Sequence, residues 1–142
     1  MTRHNGDIVL VDDEMDVLNT VQEMLSAFGF MVHGANSAVG ALDILNDHPT
    51  ADLLLTDVNM PEIDGYMLAD MVKVHNPCLR VLYMTGRNVR PLRQQGICHG
   101  PTIMKPFRIG QLAAAVERCF DAPPGLEHDE QLHAYKPLEP KS

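Results

Sequence analysis

Asp12, Asp13, Asp57, Thr85 and Lys105 are the residues whose types and placement could do chemistry together. Each set follows a short apolar run: Ile8-Val9-Leu10-Val11 before Asp12, Leu53-Leu54-Leu55 before Thr56-Asp57, Val81-Leu82-Tyr83-Met84 before Thr85, and Thr102-Ile103-Met104 before Lys105. Unbroken apolar runs of this length read as strands buried on both faces of a parallel sheet, and in open α/β sheets the chemistry gathers at the carboxyl edge of the strands. Three carboxylates crowded there raise one another's pKa unless a cation neutralises them, and an all-oxygen cluster with water suits Mg²⁺. Asp57, at the start of a loop containing Pro61 and Gly65, is then a nucleophile candidate, Thr85 a neutral hydrogen-bond donor and Lys105 a fixed cation. Transfer of a phosphoryl group to a carboxylate needs such a set. Asp57 attacks phosphorus, Mg²⁺ and Lys105 offset charge on the phosphoryl oxygens, and no general base is required because the carboxylate is already ionised.

Taken singly, each residue has an ordinary reading. Asp12-Asp13-Glu14 favours the start of a helix through the macrodipole, and Asp57 suits an Asx turn before Pro61. Thr85 alone is a turn residue and Lys105 alone a solvated lysine. The weighing changes because each ends a different apolar run on what would be one sheet edge.

The elements that must position these residues alternate. After the first strand, Val17, Leu18, Val21, Met24, Leu25 and Phe28 recur at helical spacing, and Gly29 ends the pattern. Phe30 to His33 forms a second strand, and Ser37 caps a helix that buries Ala38, Ala41, Leu42 and Leu45. Met67, Leu68, Met71, Val72 and Val74 mark the next helix, stopped by Asn76-Pro77. Between Arg87 and Gly100, where Pro91, Gly96 and Gly100 crowd the chain, the spacing predicts a short or distorted helix. A last helix carries Ile109, Leu112, Ala113, Val116, Cys119 and Phe120 and ends near Asp121. Five βα units predict one parallel sheet with helices on both faces, over residues 6–121. Residues 122–142, opening with Pro123-Pro124-Gly125 and lacking apolar periodicity, read as a disordered tail or linker.

The chain of 142 residues is one domain by length and can bury roughly 70% of its unfolded surface without a disulfide or metal staple. Its net charge of −8 disfavours direct binding to nucleic acid or to anionic membranes, so the expected partners are proteins and cations. Cys78, Cys98 and Cys119 are odd in number and lack CxxC spacing, so they read as reduced and mostly buried thiols. No stretch approaches the length of a membrane span and residues 1–7 lack an apolar leader core, which predicts a cytoplasmic protein without membrane insertion.

The ordered motifs resemble the receiver domains of two-component response regulators. Asp12-Asp13, Thr56-Asp57-Val58-Asn59-Met60-Pro61 through Asp64-Gly65, Thr85-Gly86 and Lys105-Pro106-Phe107 look like that family's motifs in its order, over about residues 6 to 121. The resemblance implies a flavodoxin-like (βα)5 fold with strand order 2-1-3-4-5, an arrangement for which receivers are a standard example. It implies that Asp57 accepts a phosphoryl group from a histidine kinase or histidine phosphotransfer protein in a Mg²⁺-dependent reaction. Asp13, Asp57 and the backbone carbonyl of Asn59 would contact the ion, with Asp12 acting through water. Lys105 would bind the phosphoryl group, with Lys105-Pro106 a cis peptide. Such a domain is a signalling element rather than an enzyme, although it assists its own phosphorylation and dephosphorylation. The altered surface around residues 85–105 would be read by a protein partner on another chain or on a further part of the protein. Two departures bear on that step. Many receivers carry Tyr or Phe three residues before the lysine, where this chain has Thr102, and the Thr85 to Lys105 segment is slightly short and contains Pro91. Thr85 and Thr102 are therefore the switch positions.

Three other readings fit less well. An aspartyl phosphatase of the haloacid dehalogenase type would want its nucleophile after the first strand and a second Asp two residues on, where Asn59 cannot donate a proton as a general acid. A scaffold that keeps only the fold has no need of every charged member of the site. The His128 to His133 stretch lacks the spacing of a helical zinc site.

Overall fold

The structure, a computed structural model, describes residues 6–86 and 98–121. The elements run β1 (Asp7–Val11), α1 (Met15–Ala27), β2 (Met31–Ala35), α2 (Ala38–Asp47), β3 (Leu53–Asp57), α3 (Gly65–His75), β4 (Arg80–Thr85), β5 (Thr102–Met104) and α4 (Ile109–Asp121). The five strands are parallel in the order β2-β1-β3-β4-β5. The fold is therefore the flavodoxin-like one that the sequence predicts. The expected helix between β4 and β5 falls largely on residues 87–97, and the expected tail on 122–142; both lie outside the described residues. Cys98, His99 and Gly100, the described end of that segment, are not helical.

Strand alternation divides the core in two. Val9, Val11, Leu54, Val81 and Tyr83 face one side with Ala38 and Ala41 of α2 and Leu68, Ala69 and Val72 of α3. Ile8, Leu10, Leu53, Leu55, Leu82 and Met84 face the other with Leu18, Val21 and Leu25 of α1 and Leu112, Val116 and Cys119 of α4. Burial on both faces is why these strands read as continuous apolar runs instead of alternating ones.

Local signals set the helix ends. Gly29 adopts φ 95° just beyond α1, a left-handed value that glycine reaches without a Cβ penalty. Ser37 Oγ accepts the Gly40 N–H at 3.0 Å, as its capping role requires. Asp64 caps α3 in the same way by accepting the Met67 N–H at 2.8 Å.

Several expected core positions are corrected. Phe28 is exposed, as are Met67, Met71, Val74 and Ile109. In α3 the buried stripe is Gly65, Leu68, Ala69 and Val72, an i, i+3, i+4, i+7 set that uses the two small residues to sit close to the sheet. The second strand starts one residue later than expected and extends to Ala35. Of the three thiols only Cys119 is buried; Cys98 is intermediate and Cys78 exposed. Among the described residues no helix is long and apolar enough to cross a membrane.

Candidate phosphoryl-acceptor site

Register brings the acidic and basic residues to one edge. Val11 lies opposite Thr56, Asp57 opposite Met84, and Thr85 opposite Met104, so Asp12, Asp57, Thr85 and Lys105 leave four strands within two residues of a common level. Backbone bonds continue past the strand ends and hold that level: Asp12 N–H donates to the Ala35 carbonyl at 3.1 Å, Val58 N–H to Met84 at 2.9 Å and Lys105 N–H to Thr85 at 2.8 Å. Asp12, Thr56, Asp57 and Thr85 are the buried polar residues among those described. The Lys105-Pro106 peptide is cis, as the resemblance implies.

The Lys105 ammonium bridges two carboxylates, with Nζ 3.0 Å from Asp12 Oδ2 and 3.2 Å from Asp57 Oδ1. Burial alone would lower the Lys105 pKa, but the hydrogen bond to Asp12 and the charges of Asp12 and Asp57 outweigh it and the net shift is upward. The lysine is therefore held as a cation. Asp57 moves the other way from an ordinary aspartate. Desolvation first, then repulsion from Asp12 and to a lesser degree Asp13, lift its pKa from 3.8 to about 6 against the opposing pull of Lys105. At neutral pH it is ionised and uncomfortable, which suits a group that is to accept a cation or form a new bond.

One carboxylate oxygen each of Asp12, Asp13 and Asp57 lies within 4.8 Å of the others. Asp13, unlike the other two, is exposed. Asp12 is already engaged at both oxygens, Oδ1 accepting the Glu14 N–H at 2.9 Å and Oδ2 facing Lys105, so it is the member least able to touch an ion directly. Nearby in sequence, Asn59 Oδ1 is a buried oxygen with no hydrogen-bond partner among the described residues. This hard, all-oxygen donor set fits Mg²⁺ and lacks the nitrogen and sulfur donors that zinc prefers.

Among the described residues, the contact of Thr85 Oγ1 is with the Gly86 carbonyl at 3.5 Å, too long to fix the hydroxyl rotor. Thr102, the other expected switch position, is partly buried and lies opposite Tyr83 in the β4–β5 register.

The motif residues Thr56 and Gly65 also have structural roles. Thr56 Oγ1 donates to the Asp57 carbonyl at 3.0 Å from a fully buried position. Gly65 donates its N–H to Val58 at 2.9 Å, and any Cβ at position 65 would collide with the Asp57 carbonyl. The glycine of the Asp64-Gly65 pair thus lets α3 start directly against the end of β3. A glycine ten residues or fewer beyond an acidic strand end, preceded by a capping Asp, was the available signal.

Comparison with known proteins agrees with this geometry. The sequence profile of the response regulator receiver domain matches residues 8–117. The transcriptional regulatory protein ZraR of Escherichia coli is 31% identical over 96% of this chain and 30% of its own length. The C4-dicarboxylate transport transcriptional regulatory protein DctD of Rhizobium meliloti is 31% identical over 79% of the chain and 25% of its own length. The chain thus spans less than a third of these curated relatives. Among solved structures, the signal receiver domain of an HD domain-containing protein from Pseudomonas fluorescens has a TM-score of 0.73 at 25% identity, covering 83% of this chain and 96% of that one. The receiver domain of the hybrid histidine kinase CckA has a TM-score of 0.69 at 29% identity, covering 82% of this chain and all of that one. A profile match over most of the chain, on a sheet that carries the acidic pair, Asp57 and the lysine at one edge, establishes that this chain belongs to the response regulator receiver domain family of two-component systems.

Proposed function

We propose that Asp57 is the phosphoryl acceptor of a two-component phosphorelay, with a histidine kinase or histidine phosphotransfer protein as donor. A carboxylate oxygen of Asp57 gives an electron pair to phosphorus while the N–P bond of the donor phosphohistidine breaks, and that pair returns to the imidazole nitrogen. Lys105, 3.2 Å from Asp57 Oδ1, supplies a fixed positive charge for the phosphoryl oxygens. Mg²⁺, held by Asp13, Asp57 and the Asn59 backbone carbonyl with Asp12 acting through water, would offset the remaining negative charge. Thr85 turns its hydroxyl from the long Gly86 contact to donate to a phosphoryl oxygen, and Thr102 beside β4 leaves room for that change. A protein partner then reads the surface around residues 85–105. The donor and this chain meet in the cytoplasm. No nucleic-acid contact is proposed for the domain, whose chain carries a net charge of −8.

The observation that carries this reading is the buried Asp57 carboxyl, with its pKa raised to about 6, beside a lysine and two further carboxylates at a single sheet edge. Incubation of the full chain with acetyl phosphate and Mg²⁺ tests it by intact mass. One phosphoryl mass is expected, labile at alkaline pH, lost on chelation and absent in Asp57→Asn. Equal labelling of the Asn variant would overturn the assignment.

A further inference from the structure

Outside the acidic edge, Tyr83 is a buried residue whose hydroxyl is tied into a polar chain. It lies on β4 two residues before Thr85, so the two side chains share a face of the strand. Its ring is fully buried and packs against the Tyr66 ring of α3, with centroids 4.7 Å apart and planes at 50°. Burial pushes its pKa well above the ordinary 10.0, so the hydroxyl stays neutral. The hydroxyl oxygen accepts the His99 N–H at 3.3 Å, and the His99 ring nitrogen Nε2 meets Asp70 Oδ1 of α3 at 2.8 Å.

Tyr66 and Asp70 are one helical turn apart on α3. A single side chain on β4 therefore grips two successive turns of one helix, directly through a ring and indirectly through His99. The two arms differ in stiffness. The His99–Asp70 contact is short, whereas the hydroxyl contact is near the long limit for a hydrogen bond and has room to tighten or part. The segment bearing His99 is anchored just beyond it. Gly100 packs so close to the Val81 carbonyl of β4 that a Cβ there would collide with it, and Pro101 O accepts the Tyr83 N–H at 2.9 Å. On the outer side of α3, Met67, Met71 and Val74 form an exposed apolar stripe at helical spacing.

We propose that Tyr83 couples the state of the Asp57 site to α3, the hydroxyl contact with His99 and the His99–Asp70 pair forming the adjustable arm that repositions the helix and its exposed Met67–Met71–Val74 stripe. This rests on the proposed phosphorylation of Asp57. A change at Thr85 displaces the end of β4, and Tyr83 is the side chain on that face with contacts to a helix that can differ between the two states. A ligand or modification shifts a population only through such differential contacts.

The experiment follows amide hydrogen exchange across residues 66–74 in the full chain, with and without acetyl phosphate and Mg²⁺, with phosphoryl stoichiometry read by intact mass in the same samples. Phosphorylation of the parent should change exchange rates in α3 about tenfold, the scale of a local opening altered by one broken contact. Tyr83→Phe, which keeps the ring and removes the acceptor, and Asp70→Ala, which removes the oxygen facing His99 Nε2, should each take phosphate as the parent does yet lose the α3 response. If the two residues act in one series, the double variant loses no more than either single variant. A phosphorylated parent with α3 unchanged, or a full α3 response in both single variants, overturns the coupling and leaves the phosphorylation reading intact. A parent that takes no phosphoryl mass overturns both.

Discussion

Asp57→Asn removes a charge that the folded state holds at a cost, so the variant should be more stable than the parent at neutral pH and without metal. The carboxyl has a pKa of about 6 in the fold against 3.8 ordinarily. Between those values the native state binds more protons than the unfolded chain, so stability falls as pH rises through about 4 to 6 and the whole penalty is present above 6. Taken at face value that difference is about 3 kcal/mol. Water reaches the edge through exposed Asp13 and screens part of it, leaving about 1–2 kcal/mol. Asn imitates the protonated carboxyl, and Lys105 keeps its contact with Asp12 at 3.0 Å, so the substitution leaves no buried cation unpaired. Urea unfolding in chelator at pH 7.5 should place the variant about 1–2 kcal/mol above the parent, a rise of about 3–8 °C in Tm for a domain of this size. At pH 4 the two should converge. A variant less stable than the parent at pH 7.5, or an advantage that does not shrink with acid, would refute the view that desolvation and Asp12 dominate over Lys105 at this site.

Mg²⁺ should reverse that order. At millimolar concentration it should raise the parent Tm by binding only the folded state, while Asp13→Ala should lose most of the rise, as read by thermal unfolding with and without chelator. Thr85→Ala should accept phosphate at Asp57 yet show no amide shift changes beyond the direct contacts of the site when beryllofluoride and Mg²⁺ are added. Gly65→Ala should destabilise by about 1–3 kcal/mol in urea, because its Cβ meets backbone atoms of Asp57 and Val58 that cannot move aside. Ser37→Ala should cost about 1 kcal/mol by the same measure, with the loss of the bond to the Gly40 N–H.

The sequence carries the edge chemistry plainly for a physical reason. A parallel strand buried on both faces is apolar through its middle, so the first polar residues after each run mark the carboxyl end of the strand, as at Val11-Asp12 and Leu55-Thr56-Asp57. Three such runs, in β1, β3 and β4, with the short and partly exposed edge strand β5 beside them, define the sheet edge. The helices are less legible, because apolar spacing does not say which of two apolar stripes faces inward. In α3, Met67, Met71 and Val74 are as periodic as Leu68, Ala69 and Val72, and by side-chain size alone they are the equal of a core stripe. The inward stripe is the one that begins at Gly65, which must start the helix against the Asp57 carbonyl, and Ala69 keeps the helix close while Leu68 and Val72 fill the core. Tyr83 was hidden for a related reason. In the run Val81-Leu82-Tyr83-Met84 it reads as one more buried residue, and its hydroxyl contact is made by the backbone N–H of His99, which has no signature in residue type. Backbone partners of this kind become visible only when the register brings position 83 of β4 beside position 102 of β5 and the approach to that strand through His99, Gly100 and Pro101. Residues that do ionic work at the edge can thus be read from their types, whereas a residue that transmits their state is identified by which helix it touches.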